Sequence, residues 1–354
     1  MMTLKTKLVL NRENGLLKTV LAASSAAFII QGLGLGLRYT SQVLLARWLG
    51  PSEYGAYAYI FSWIQIFALL SGLGFTISLL RFIPEHQTKG EWLYLRGIIG
   101  RSRQIVLGFG VLATAVCFLM LRLLKPTDIP VWTILIGSLV IPVYGLLQMQ
   151  TEIIRSLRHI SAAYFIPMIA QPILHLGLIL VFLRIIFALN STFAFAALLV
   201  SSFPLLLVQD WAIRRFMPQA AWGVRPEFQM VFWLSVSLPL LYIAAMAMIQ
   251  DQAGILVVGS FLGPIKAGVY VAALKTAVLV SFVLIAVNTI AAPMISAAYT
   301  KQDKAELQQI VRLANLLTFI FSFAAGLCLI LIGKSVLRLF GPGFEEGYNL
   351  LIVF

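Results

Sequence analysis

The chain has 354 residues, 60% of them hydrophobic and 11% charged, and its mean hydropathy of +0.95 excludes a soluble globular domain. Its net charge of +13 does not indicate nucleic-acid binding, because the basic residues sit in short clusters between apolar runs and form no continuous basic face. Only two cysteines occur, Cys117 and Cys328, each inside an apolar run. They give neither a disulfide framework nor a thiolate metal site, and read as small apolar packing residues.

A bilayer crossing needs about 20 mostly apolar helical residues, because backbone polar groups meet no water there. The first candidate follows a basic stretch with Lys5, Lys7, Arg12 and Lys18, and runs too long from Val20 to be a signal-peptide core. In chain order the crossings are expected at 20–46, 54–80, 98–122, 129–153, 162–186, 190–212, 230–258, 266–296 and 308–333. A tenth begins at Gly347. The runs are long and continuously apolar, which excludes a strand barrel. Pro142, Pro167, Pro172, Pro204, Pro239 and Pro293 fall within or at the ends of these runs, where a missing N–H bends a helix.

Lys and Arg are unevenly shared between the two sides. The N-terminus and the loops after spans 2, 4, 6 and 8 carry 17 of them, and the loops after the odd spans carry 7. The positive-inside bias then places the N-terminus in the cytoplasm, with the loops around Lys89 to Arg103, Arg214 to Arg225 and Lys301 to Arg312.

An internal repeat is the most specific local signal. Leu49-Gly50-Pro51-Ser52-Glu53-Tyr54-Gly55-Ala56-Tyr57 returns as Leu262-Gly263-Pro264-Ile265-Lys266-Ala267-Gly268-Val269-Tyr270, with five of nine positions identical at an offset of 213. Thr88-Lys89 likewise recurs as Thr300-Lys301. Each copy joins two long apolar helices through Gly-Pro, a turn pair. Six spans separate the copies, so both halves run in the same direction about an axis along the membrane normal. The divisions that follow are a cytoplasmic segment 1–19, a first lobe 20–214, a linker 215–229 and a partial second lobe 230–354. A full second copy would end near residue ~427, so roughly 75 residues holding spans 10 to 12 are expected beyond Phe354.

The run Leu44-Leu45-Ala46-Arg47-Trp48-Leu49-Gly50-Pro51-Ser52-Glu53-Tyr54-Gly55 resembles the first interhelical turn of the polysaccharide-biosynthesis flippases. That family lies in the multidrug/oligosaccharidyl-lipid/polysaccharide exporter superfamily. The second-half run through Leu262-Gly263-Pro264, Gly268-Val269-Tyr270 and Ala273-Leu274-Lys275 is similar to it as well. The resemblance implies an all-α membrane protein of two parallel six-helix repeats, the second incomplete, forming a two-lobed alternating-access transporter. It implies a lipid-linked oligosaccharide as cargo, membrane lipids and the polymerase machinery as partners, and residence in the inner membrane.

Ionisable residues in mid-span cost at least about 2.5 kcal/mol on insertion scales, so each must face protein, water or a partner. Arg38, Asp251 and Lys275 qualify. Arg38 shares a stripe with Gln31 and Gln42 on an otherwise apolar helix, and that face should line a cavity. The functional reading is that Arg38 and Lys275 attract the pyrophosphate of the cargo, with Gln31 and Gln42 beside them. At the repeat offset Arg38 superposes on Asp251, which would then neutralise one cation between cargoes or carry a coupling proton. The structural alternative is a permanent Arg38 to Asp251 or Asp251 to Lys275 bridge.

Three weaker signals read as structural. Gln148, Glu152 and Arg155 share one face of span 4, read as a local ion pair ahead of a cargo contact, and His175 as an interhelical hydrogen bond ahead of a proton acceptor near neutral pH. Tyr54, Tyr57, Tyr59 and Trp63 read as an interfacial aromatic belt.

No phosphate loop, metal-spaced ligand cluster or serine elbow is visible, so neither catalysis nor a metal or organic cofactor is expected. Two alternatives stand beside the flippase: a cation-coupled multidrug antiporter of the same superfamily, and a membrane-embedded glycosyltransferase or polymerase subunit. The antiporter calls for an acidic cavity and the transferase for large acidic loops. The three intramembrane charges sum to +1 and the loops are short and basic.

Overall fold

A computed structural model describes residues 2–124, 129–185, 189–300 and 302–354, with side chains from Ile30 onward apart from position 185 and some positions between 283 and 300. The helices are α1 (Met2–Ser71), α2 (Phe75–Lys89), α3 (Trp92–Leu124), α4 (Val131–Ser156), α5 (Ile160–Phe165), α6 (Gln171–Ile185), α7 (Ser191–Phe216), α8 (Met230–Thr300), α9 (Lys304–Arg338) and α10 (Tyr348–Val353). No strand occurs among the described residues.

Among the described residues, seven helical stretches are long and apolar enough to cross a membrane. Two of them contain a break. Gly50 (φ 75°) interrupts α1 and Gly263 (φ 81°) interrupts α8, both in a region that L side chains rarely adopt. Pro51 and Pro264 follow immediately, each suited to the first position of a new helix. Counting each broken helix as two crossings gives the nine expected from sequence. Both breaks lie within the repeated nonapeptide, at the same place in it.

The two repeat turns also touch each other. A Cβ at Gly55 would fall on the carbonyl oxygen of Pro264, and a Cβ at Gly268 would fall on the carbonyl oxygen of Pro51. Such a reciprocal contact is what a two-fold relation produces, residue i meeting j as j meets i. Six crossings separate the two breaks, an even number, so the halves run parallel and meet at these turns, the turn end of the molecule. Small residues let membrane helices approach this closely.

Three side-chain hydrogen bonds continue the seam down the molecule. Tyr59 pairs with Ser260 at 3.0 Å, Tyr39 with Thr276 at 3.1 Å, and Ser78 with Ser237 at 2.6 Å. Phe340 and Phe344 pack edge-on against Tyr39 and Tyr54, with ring centroids 5.8 Å and 5.9 Å apart. Lys266–Glu346 at 3.0 Å and Arg338–Glu345 at 2.9 Å hold the segment that carries Phe344.

The aromatic belt expected at the start of span 2 is not found. Tyr54, Tyr57 and Tyr59 are buried, because this stretch faces the other lobe and the inner wall of its own. Tyr57 stacks on Phe195 at 4.6 Å. Cys117 is buried as expected, whereas Cys328 is exposed on α9. Proline leaves its clearest mark at Pro167. Residues Ile166–Ala170 form a π-helical turn between α5 and α6, an insertion that commonly accompanies functional sites.

Candidate functional site

Arg38, Asp251 and Lys275 each stand twelve residues from a turn glycine, Gly50 or Gly263. At 1.5 Å per residue that is about 18 Å along the helix, near the middle of a ~30 Å hydrocarbon core. All three are exposed side chains. Among the described residues none of the three is in an ion pair, so the bridge from Asp251 to Arg38 or to Lys275, the structural alternative, is not seen.

Arg38 and Lys275 line one cavity of 260 Å³ between the lobes. Its walls obey the repeat. Tyr39 and Gln252, Gln42 and Ile255, Ala58 and Val271, Ser62 and Lys275, and Gln65 and Val278 all face it, each pair separated by the offset of 213. The cavity thus straddles the axis relating the halves. Its polar lining is Arg38, Lys275, Gln42, Gln65, Gln252, Ser62 and two tyrosines, with no carboxylate among them. Asp251 lies outside this lining but close enough to act electrostatically on Lys275, so the wall facing the cavity carries two cations and attracts an anion.

Two further cavities open inside the first lobe, and Arg38 lines both. The larger, 370 Å³, is walled by α1, α2, α4, α5, the π turn, α6 and α7. Gln65, Gln148, Glu152, Tyr164, Gln171 and Gln209 all face it. The smaller, 100 Å³, includes Gln42, Gln171 and His175. His175 shares a 3.1 Å hydrogen bond with the carbonyl of Ala194 on α7, the interhelical bond expected. Glu152 and Arg155 form their local ion pair at 2.8 Å. Glu152 nevertheless also faces the large cavity.

Of the other residues singled out, Gln42 lines two cavities while its Oε1 accepts a 2.9 Å hydrogen bond from Tyr54. Gln31 and Asp251 line none of the three cavities. Gln252, next to Asp251, faces the cavity instead, since one residue along a helix turns the side chain by about 100°. Gln65 and Gln252 were missed in the sequence. A lone amide inside an apolar span is the signal that marks both.

Helices paired across a two-fold seam, with a mid-depth cavity between the lobes, define a multi-pass membrane protein with the fold of two-lobed transporters. Solved structures share that fold. An inward-facing multidrug-resistance MATE transporter of the MOP superfamily matches at TM-score 0.67 and 16% identity, over 92% of this chain and 75% of that one. An outward-facing one matches at 0.64 and 16%, over 94% and 76%. A MOP transporter from Pyrococcus furiosus, described as having a binding pocket of reverse polarity, matches at 0.64 and 16%, over 93% and 76%. No curated protein matches the chain. The family profile described as "Polysaccharide biosynthesis protein" matches residues 16–299, and the chain belongs to that family.

Proposed function

We propose that the chain moves an anionic, lipid-linked saccharide across the cytoplasmic membrane for polysaccharide or O-antigen export. The observation that carries this reading is the shared cavity of Arg38 and Lys275, two mid-depth cations in a lining that holds no carboxylate. Holding like charges together in a low-dielectric site is unfavourable unless an anion joins them. A pyrophosphate supplies two negative groups, and the Arg38 fork matches its oxygens bidentately. A cationic drug would meet repulsion here. The neighbour from Pyrococcus furiosus, with its pocket of reverse polarity, provides a parallel within the same fold. Membership of the polysaccharide biosynthesis family supports the choice of saccharide.

The turn end is assigned to the outside and the N-terminus to the cytoplasm, on the 17-to-7 distribution of Lys and Arg. Cysteines introduced near Lys5 and in the loop at Lys304 are expected to escape an impermeant thiol reagent in intact cells. A cysteine at Ser52, beside the Gly50 turn, is expected to react. Rapid labelling of the first two from outside would reverse the topology.

The cargo itself is tested in proteoliposomes. Vesicles holding the full chain are expected to translocate a fluorescent polyprenyl-pyrophosphoryl saccharide and to leave a cationic dye where it was. Transport of the dye without the saccharide would overturn the proposal in favour of a cation-coupled drug antiporter.

A further inference from the structure

The 370 Å³ cavity inside the first lobe is larger than the interlobe cavity and is lined differently. Its walls are crowded with amides and hydroxyls from four different elements. Gln148 and Glu152 come from α4, Tyr164 from α5, Gln171 from α6 and Gln209 from α7. Polar side chains converging on one space inside a membrane lobe carry a desolvation cost that an apolar occupant would not repay.

One of the oxygens is waiting for a donor. Gln209 is 1% exposed, and its Nε2 donates to Thr151 at 2.8 Å. Its Oε1 is buried with no hydrogen-bond partner among the described residues. The Oε2 of Glu152 is buried and held by Arg155 Nη2 at 2.8 Å. Arg155 also donates to the Tyr164 hydroxyl at 3.2 Å, which fixes it to the rim. Gln148 and Gln171 face the same space and make no side-chain hydrogen bond among the described residues. Each of these amides offers both a donor and an acceptor.

An occupant must therefore bring several O–H donors and acceptors and little charge. Sugars do so. Arg38 and Gln65 are common to this cavity and to the interlobe one, so a pyrophosphate held at Arg38 would place its attached group at the mouth of the larger space. The volume lies within the roughly 300–1,000 Å³ range of small-molecule pockets.

We propose that this first-lobe cavity is a saccharide subsite, which takes the sugar joined to the pyrophosphate and reads its hydroxyls through Gln148, Glu152, Gln171 and Gln209. The proposal rests on the anionic-cargo reading above and adds to it where cargo selectivity resides. The lobe that supplies Arg38 then does both tasks, and the second lobe contributes Lys275.

The test separates the two readings by using probes with and without sugar. Farnesyl pyrophosphate, and its derivatives bearing a hexose, an N-acetylhexosamine or a deoxyhexose on the terminal phosphate, are titrated into the full chain in nanodiscs. At least one sugar-bearing probe is expected to bind roughly tenfold tighter than farnesyl pyrophosphate, since sites built to bond a hydroxyl reject analogues lacking it. Gln148→Leu combined with Gln171→Leu should erase that gain and leave the affinity for farnesyl pyrophosphate unchanged. Unchanged binding of the sugar-free probe also shows that the variant is folded. Should the double variant bind neither kind of probe, Glu152→Gln, which keeps the side-chain shape, is scored by the same pair of affinities. No gain from any of the three sugars in the wild type, or a gain that survives in the variants, overturns the subsite. If the wild type binds no pyrophosphate at all, the anionic-cargo reading falls, and the subsite with it.

Discussion

Gly55→Ala is expected to lower the amount of folded protein several-fold and to reduce its thermal midpoint in detergent. The added methyl would land on the backbone carbonyl of Pro264. Backbone cannot swing aside as a side-chain tip would, so the two lobes must separate where they now touch. Overpacking typically costs about 1–3 kcal/mol, enough to change cellular abundance severalfold. Gly36→Ala is the control on the same helix, because nothing lies within 4 Å of a Cβ there. Its removal of backbone freedom should stabilise the helix by up to about 1 kcal/mol. Gly268→Ala should resemble Gly55→Ala, since it strikes the carbonyl of Pro51. The double variant Gly55→Ala, Gly268→Ala should cost less than the two singles together, because the first already parts the seam that the second would strain. Wild-type abundance and midpoint in Gly55→Ala would mean that the lobes do not meet through these turns.

Much of the architecture was legible in the sequence because membrane helices obey a coarse rule of apolar length. The repeat of Leu-Gly-Pro with a glycine four residues after the proline located both breaks, Gly50 and Gly263, and fixed the parallel relation of the halves. It did not show that Gly55 and Gly268 touch each other's turn, which depends on how the lobes pack. The same blindness explains Tyr54, Tyr57 and Tyr59. Tyrosines at a helix start match an interfacial belt in sequence, and only the seam with Ser260 and the wall at Phe195 reveals them as buried.

Within the site, cost was the useful guide. Arg38 and Lys275 stood out because mid-span charge is expensive, and both face the interlobe cavity. Asp251 stood out for the same reason and lines no described cavity, because cost says that a charge has a purpose and not which way it points. Gln65, Gln171 and Gln209 are neutral and cheaper to bury, so none stands out alone, and Gln148 reads only as part of the local ion-pair face with Glu152 and Arg155. Their meaning lies in convergence from α1, α4, α6 and α7, which one-dimensional periodicity does not carry.

The second large effect concerns Arg38. It alone lines all three cavities among the described residues, and it is in no ion pair there. Replacing it by alanine should therefore strand no partner charge, and the protein should remain folded and inserted. A charge-assisted hydrogen bond contributes about 1.5–3 kcal/mol, so removing a bidentate pair to pyrophosphate should weaken cargo capture on the order of 100-fold. Arg38→Lys should keep part of the activity, because the charge remains while the fork is lost. A purely structural bridge to Asp251 predicts the opposite pattern. Under that bridge the single change would leave a buried charge unpaired and reduce abundance, and adding Asp251→Ala would restore both abundance and export.

The most direct measurement is surface polymer per unit of membrane-inserted protein, for the wild type, Arg38→Ala, Arg38→Lys and the double change Arg38→Ala, Asp251→Ala. The expected result is normal insertion in all four, export abolished in Arg38→Ala, partial in Arg38→Lys and still absent in the double. Export at the wild-type level in Arg38→Ala, or its return in the double, would contradict a cargo-binding Arg38.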